Sequence, residues 1–266
     1  MNKTLLAGGC SFTFGHELSD DIKGQVPSAS SWSALLAKHA RMNYQTVAFP
    51  GTGNSGIARR VFEQVCSPNF KNTMVAVMWT FTSRYDWAMP RHTLLENTRW
   101  TSITPWDTED GRLEAQHAFS PNESHLVTWK QRADNMSITG VGPFAEALYR
   151  HAANQYHETY LSWKSIIWLQ NILEKKKIPY FFTLADNILF YDAMKPLKEI
   201  DIFLNGLYNE INFNNWFFFG DRQMGFNQWA LLNDYPRGTT HPLDAAHIDA
   251  YKLMKENFMS IYNRWR

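Results

Sequence analysis

The chain has 266 residues, enough for one large α/β domain or two small ones. Its 26 Lys and Arg nearly balance its 25 Asp and Glu, and the net charge of +1 gives no electrostatic case for nucleic acid or an anionic membrane as the main partner. Two cysteines, Cys10 and Cys66, make no disulfide framework. No run reaches the roughly 18–20 apolar residues of a membrane span. Only nine residues precede Cys10, too few for the charged and apolar regions of a signal peptide, so the chain reads as cytoplasmic. Aromatic residues make up 15%, with 11 Trp; most are expected to pack the core, and any at the surface offer faces for stacking on sugars.

In chain order, Lys3–Ala7 is a short apolar run stopped by Gly8-Gly9, and reads as a buried parallel strand. Residues 31–42 carry Trp32, Leu35, Leu36 and Ala40 at helical spacing behind a capping Ser31. Tyr44–Phe49 reads as the second strand, halted by Pro50-Gly51; Asn54–Val65 reads as a second helix and Thr73–Thr80 as the clearest buried strand. This β-α-β-α-β order predicts a parallel sheet with right-handed crossovers. From about Tyr85 to about Asn154 the periodicity breaks down among Pro, Thr, Asn, Trp and charged residues. A structureless loop of that length is uncommon in a compact domain, so 85–155 reads as an insertion or cap with short helices of its own. Tyr156–Lys177 reads as a long helix whose closing lysines suit a helix C-terminus. Pro179–Ala185 follows as a fourth strand, Asn214–Phe219 as a fifth, and Leu243–Trp265 as the final helix.

Two short motifs at opposite ends of the chain carry the chemistry. Gly8-Gly9-Cys10-Ser11-Phe12-Thr13-Phe14-Gly15 follows the first strand, and its glycines permit a sharp turn that presents Ser11. A serine hydroxyl becomes a competent nucleophile only when a base takes its proton and a carboxylate orients that base. Ser11 is the candidate nucleophile and equally fits a helix cap; Cys10 is the alternative nucleophile. The motif is no Walker loop, because no Lys-Ser/Thr follows Gly15, and it lacks the Gly-x-Gly-x-x-Gly spacing of a dinucleotide site. His241-Pro242-Leu243-Asp244-Ala245-Ala246-His247 precedes the final helix. His247 is the candidate base, with Asp244 three residues earlier to orient it, although Asp244 also suits a helix N-cap. His241 is the rival base, set second because Pro242 stiffens its segment. The remaining histidines are scattered, apart from the adjacent His16-Glu17, so neither a metal nor another cofactor is expected.

These motifs and their order resemble the SGNH, or GDSL-like, hydrolase superfamily. There the nucleophile lies in a first-block motif similar to Gly8–Gly15, and the acid and base lie three residues apart in the last block. The resemblance implies Ser11 as nucleophile, Asp244 as acid and His247 as base. It implies oxyanion donors in the Ser11 N–H and in the second block, where Phe49-Pro50-Gly51-Thr52-Gly53-Asn54 stands. Gly53 is the chosen donor there, with Gly51 and Asn54 as alternatives. The third block departs from the pattern: the superfamily has Gly-x-Asn-Asp, whereas Trp79-Thr80-Phe81-Thr82-Ser83-Arg84 contains no Asn. Thr80 or Ser83 offers a hydroxyl and Arg84 a cationic donor, which would favour an anionic ligand or a charged substrate group. Losing one oxyanion donor typically costs roughly 10²–10³ in kcat, so the departure bears on rate. Cys10 stands where the Gly-Asp-Ser-Leu signature has Asp, and the Gly-Cys-Ser-Phe-Thr-x-Gly form is similar to that of phage proteins. The resemblance covers 8–15, 49–54 and 241–247, and does not cover 85–155.

It implies a single three-layer α/β/α, flavodoxin-like domain over 1–266, with about five parallel strands and a large insertion after the third. The site should lie at the carboxyl ends of the strands. The implied activity is that of a serine esterase on a small-molecule or carbohydrate ester, such as an O-acylated sugar. Two alternatives stay open: an O-acyltransferase on the same triad, and a non-catalytic glycan-binding or assembly protein that kept the fold. Neither nucleic acid nor membrane insertion is expected, and the oligomeric state is open.

Overall fold

The computed structural model describes residues 3–22, 24–88, 100–111, 140–191 and 201–265. Strand β1, Thr4–Gly8, is followed by the one-turn helix α1, Ser11–Phe14, then by helix α2, Trp32–His39, and strand β2, Asn43–Thr46. Helix α3, Asn54–Val65, leads to strand β3, Thr73–Trp79. After β3 comes an antiparallel ribbon of β4, Tyr85–Ala88, and β5, Trp100–Ile103, then helices α4, Val141–His151, and α5, Gln155–Lys175. Strand β6, Tyr180–Leu184, is followed by the short helices α6, Ile188–Tyr191, α7, Ile202–Asn209, and α8, Phe226–Leu232, and by the long α9, Asp244–Arg264.

The main sheet is parallel with strand order β2-β1-β3-β6. The fold class is therefore the one expected, an α/β sheet with helices on both faces, built on four strands. Every residue of β3 and of β6 is buried, and their side chains alternate between two cores. Met74, Ala76, Met78 and Phe181 join α2, α8 and α9 on one face. Val75, Val77, Trp79 and Phe182 join α3 and α5 on the other. Strands buried on both faces read as continuous apolar runs, which is why the sequence marks them so clearly.

The edges of the sheet differ from expectation. β2 is polar and half-exposed, and its regular pairing ends at Thr46, short of the anticipated Phe49. Two isolated bonds, Val47 N–H to Ala7 O (2.8 Å) and Phe49 N–H to Gly9 O (3.1 Å), carry the chain along β1 beyond it. The anticipated fifth strand at 214–219 is not formed as one. Phe213–Asn215 is a 3-10 turn, and only Trp216 bridges β6, at Phe182.

Of the stretch 85–155, residues 89–99 and 112–139 lie outside the described residues. The described parts pack as a small satellite core of Tyr85, Ile103, Val141, Ala145 and Leu148. The Arg59 guanidinium of α3 holds the ribbon by pairing with Asp86 at 2.7 Å, and it lies over the Trp100 ring. Trp87, Trp100 and Trp106 expose their rings, whereas Trp32, Trp79 and Trp163 are fully buried. Among the described residues no helix is long and apolar enough to cross a membrane.

Candidate active site

Strand order reverses at β1. The chain runs from β1 to β2 on one side, then returns to β3 on the other, and open parallel sheets bind ligands at the carboxyl end of such a switch point. Ser11 sits there, directly after β1. Cys10 takes the N-cap position of α1, and Gly15 ends that helix after one turn in the left-handed region, at φ 80°. A side chain at Gly15 would be strained by that φ and would also place its Cβ 2.5 Å from Ser28 Cβ. The turn therefore closes tightly and leaves Ser11 5% exposed at the tip of the strand.

The residue that reaches Ser11 is His241. Its Nε2 lies 2.7 Å from Ser11 Oγ. Its Nδ1 lies 2.8 Å from Glu17 Oε2. A carboxylate only accepts, so Nδ1 carries the proton, Nε2 is the free lone pair, and the Ser11 hydroxyl donates to it. The Phe12 and His16 rings pack against the imidazole in edge-on geometry, at 5.0 and 5.3 Å between centroids. Burial pushes the His241 proton affinity down, against the upward pull of Glu17, so the ring is neutral at neutral pH.

Glu17 accepts backbone N–H bonds from Thr239 (2.9 Å), Thr240 (3.1 Å) and His241 (3.0 Å) as well as the imidazole bond. Burial pushes its carboxyl up, but the hydrogen bond and charge of His241 and the Thr240 and Thr239 N–H groups outweigh it. They hold Glu17 well below the usual carboxylate range. The loop that delivers His241 folds on itself, with Gly238 N–H to His241 O at 2.9 Å and Leu243 N–H to Pro236 O at 2.9 Å. Arg237 braces it by donating to Thr240 O (2.6 Å) and Asn227 Oδ1 (3.1 Å).

The structure does not bring His247 and Asp244 to Ser11. His247 lies within α9, 1% exposed, where its Nδ1 accepts the Trp32 N–H at 3.2 Å. That N–H belongs to the first turn of α2 and has no partner within its own helix. His247 thereby ties α9 to the start of α2, and its Nε2 has no hydrogen-bond partner among the described residues. Asp244 opens α9 and accepts both the N–H (3.0 Å) and the hydroxyl (2.7 Å) of Ser19. It anchors the loop that carries Glu17. His241, the rival base set second on sequence grounds because of Pro242, is the histidine that reaches Ser11, and Glu17, noted only beside His16, is the partner that sequence reasoning missed. The one local signal was His241 itself, at the end of a Gly-Thr-Thr loop where backbone N–H groups could gather a carboxylate.

The second and third blocks meet beside this triplet. Gly53 is the N-cap of α3, and a Cβ there would fall 2.4 Å from Arg84 O. Only glycine permits that approach. Asn54 was a candidate for substrate contact, but its amide is already engaged. Nδ2 donates to Thr80 O (3.0 Å) and Ser162 Oγ (3.0 Å), and Oδ1 accepts the Thr80 N–H (2.8 Å). Asn54 instead locks α3 and α5 to the end of β3. The Thr80 hydroxyl is likewise spent, donating to Cys10 Sγ at 3.2 Å. Cys10 is fully buried and lies behind Ser11. Arg84 donates Nη1–H to Thr80 Oγ1 at 3.4 Å and stacks over Phe81. Among the described residues no cluster of three or more His, Cys, Asp or Glu could hold a metal ion.

No family model and no curated protein matches the chain. Solved structures do. A lipolytic protein of the G-D-S-L family from Veillonella parvula DSM 2008 is 12% identical, with 98% of this chain and 99% of that one covered and a TM-score of 0.43. Phospholipase A1 from Streptomyces albidoflavus NA297 is 12% identical over 98% and 99% of the two chains, with a TM-score of 0.42. A family two carbohydrate esterase from Clostridium thermocellum is 11% identical over 98% of this chain and 65% of that one, with a TM-score of 0.46.

Proposed function

We propose that the protein is a serine ester hydrolase of SGNH type, in which Ser11 is the nucleophile, His241 the base and Glu17 the orienting acid. The observation that carries the reading is the continuous chain Ser11 Oγ, His241 Nε2, His241 Nδ1, Glu17 Oε2, with links of 2.7 and 2.8 Å. Ser11 Oγ attacks the ester carbonyl carbon as its proton passes to His241 Nε2. Collapse of the tetrahedral intermediate expels the alcohol, which takes the proton from His241, and leaves an acyl group on Ser11. Water then attacks that acyl group with its proton going to His241, and Ser11 leaves with it. Glu17 keeps Nδ1 protonated throughout and stabilises the imidazolium that forms.

For the oxyanion, the Ser11 N–H lies in the first turn of α1, where the helix supplies no acceptor of its own, and the Gly53 N–H at the start of α3 is the second donor we assign. The substrate class is a small-molecule or carbohydrate ester. Trp87 and Trp100 on the β4–β5 ribbon, which begins one residue after Arg84, are nearly half exposed and offer aromatic surface to a sugar ring.

Intact-mass analysis after exposure to a fluorophosphonate, with peptide mapping, tests the reading. One adduct on Ser11 is expected, abolished in His241→Ala and retained in His247→Asn. An unlabelled wild type, or labelling that survives His241→Ala, would sink it.

A further inference from the structure

Arg84 stands at the site with no acid to answer it among the described residues. We propose that its guanidinium binds an anionic group, a carboxylate or phosphate, carried by the substrate, and so makes the site selective for negatively charged esters. The proposal takes its place in the molecule from the Ser11–His241–Glu17 reading, although binding itself does not need the triad to turn over.

Of the described arginines nearby, Arg59 has carboxylate partners, Asp86 and Glu63. Arg60 and Arg237 spend donors on backbone and amide oxygens, Arg60 on Val47 O and Arg237 on Thr240 O and Asn227 Oδ1. Among the described residues Arg84 makes a single hydrogen bond, to Thr80 Oγ1, and no carboxylate pairs with it. A guanidinium carries five N–H donors in a fixed fork that matches carboxylate and phosphate. Most of that fork is therefore open in a half-buried position. Thr80 offers no compensating charge, since its own hydroxyl proton goes to Cys10.

Arg84 is also held in place. The Gly53 Cα packs against its backbone, and its guanidinium carbon sits 4.7 Å from the centre of the Phe81 ring. It lies close enough to His241 to be felt there: after burial, the positive charge of Arg84 adds to the lowering of the imidazole proton affinity, against the pull of Glu17. An unanswered cation beside a base that must become cationic works against proton transfer. An anionic substrate group docked on Arg84 removes that penalty just when the substrate is present. A role as oxyanion donor would instead favour every ester alike.

The test compares 4-acetoxybenzoate with its neutral analogue 4-acetoxybenzamide, which carry the same ester. We expect the wild type to favour the benzoate. In Arg84→Gln the ratio of the two kcat/KM values, taken at a pH on the activity plateau, should fall by about tenfold or more, chiefly through KM. Arg84→Lys should restore part of the preference. Equal losses on the two esters, or no preference in the wild type, would overturn the proposal. Calorimetric binding to Ser11→Ala separates this from the hydrolase reading. Tighter binding of the benzoate than of the amide, lost when Arg84→Gln is added, supports Arg84 even in a protein that hydrolyses neither ester. Equal affinities would refute it.

Discussion

Glu17 reaches His241 from an unusual backbone conformation, φ 69°, in the left-handed region that residues other than glycine seldom occupy. Such a residue costs of order 1–3 kcal/mol and persists only where its surroundings fix it. Here the surroundings are specific. The Glu17 N–H is held by Asp21 Oδ2 at 2.9 Å, and its carboxylate collects three backbone N–H groups from the loop before His241. The strain aims a carboxylate at Nδ1. The consequence for pH follows directly. His241 works as a base only when neutral, and burial lowers its proton affinity, so the acid limb of kcat/KM should lie below the ordinary imidazole value of about 6.5. Glu17 is the group pulling that affinity up. In Glu17→Gln the limb should therefore move to still lower pH, while the plateau drops on the order of 10²–10⁴-fold. A pH–rate profile measures both, and an unchanged plateau would remove Glu17 from the role.

At the scale of elements, α9 acts as the joint between the pieces that carry the site. Its first residue, Asp244, holds the Ser19 loop, and His247, one turn later, holds the start of α2. Asp244→Ala should cost roughly 1 kcal/mol, from the loss of its hydrogen bonds with Ser19 and of a negative charge in the first turn of α9, or about 2–4 °C in Tm. It should slow turnover far less than His241→Ala and leave the acid limb in place. A loss in kcat as deep as that of His241→Ala would return Asp244 to the catalytic acid. The same element explains what the sequence could tell. β1, α3, β3, β6 and α9 announce themselves through apolar periodicity and glycine stops, and the turn holding Ser11 follows from Gly8, Gly9 and Gly15. The partners of Ser11 do not. Asp244 and His247 have the spacing of an acid–base pair, but on a helix that spacing lets one end secure a loop and the other cap a neighbour. Glu17 lies in an irregular loop that has no period to read, and it meets His241 only after 224 residues of chain have folded back. At 214–219 the aromatic run satisfies packing around Trp216, not strand pairing, so composition misleads there too.

For the whole molecule, the two-sided core makes α2 and α9 a single layer over one face of the sheet, and a buried histidine is the seam within that layer. Burial first, then the neighbouring His241 charge, lowers the His247 proton affinity from the ordinary 6.5 to about 3, against the opposing pull of Asp244. The unfolded chain takes up this proton from about pH 6.5 downward, whereas the folded chain refuses it until about pH 3. Stability is thus full above pH 6.5 and falls as pH drops through that window, by at most about 1.4 kcal/mol per pH unit from this one group. Protonation would also destroy the acceptor for the Trp32 N–H, opening the seam between the helices. His247→Asn keeps an oxygen acceptor at that place and has nothing to titrate. Its Tm should therefore fall less than that of the wild type between pH 7 and pH 4.5. His241 shifts in the same direction, so the variant keeps part of the dependence. Parallel melting curves across that range for wild type and variant would mean that acid attacks the fold elsewhere.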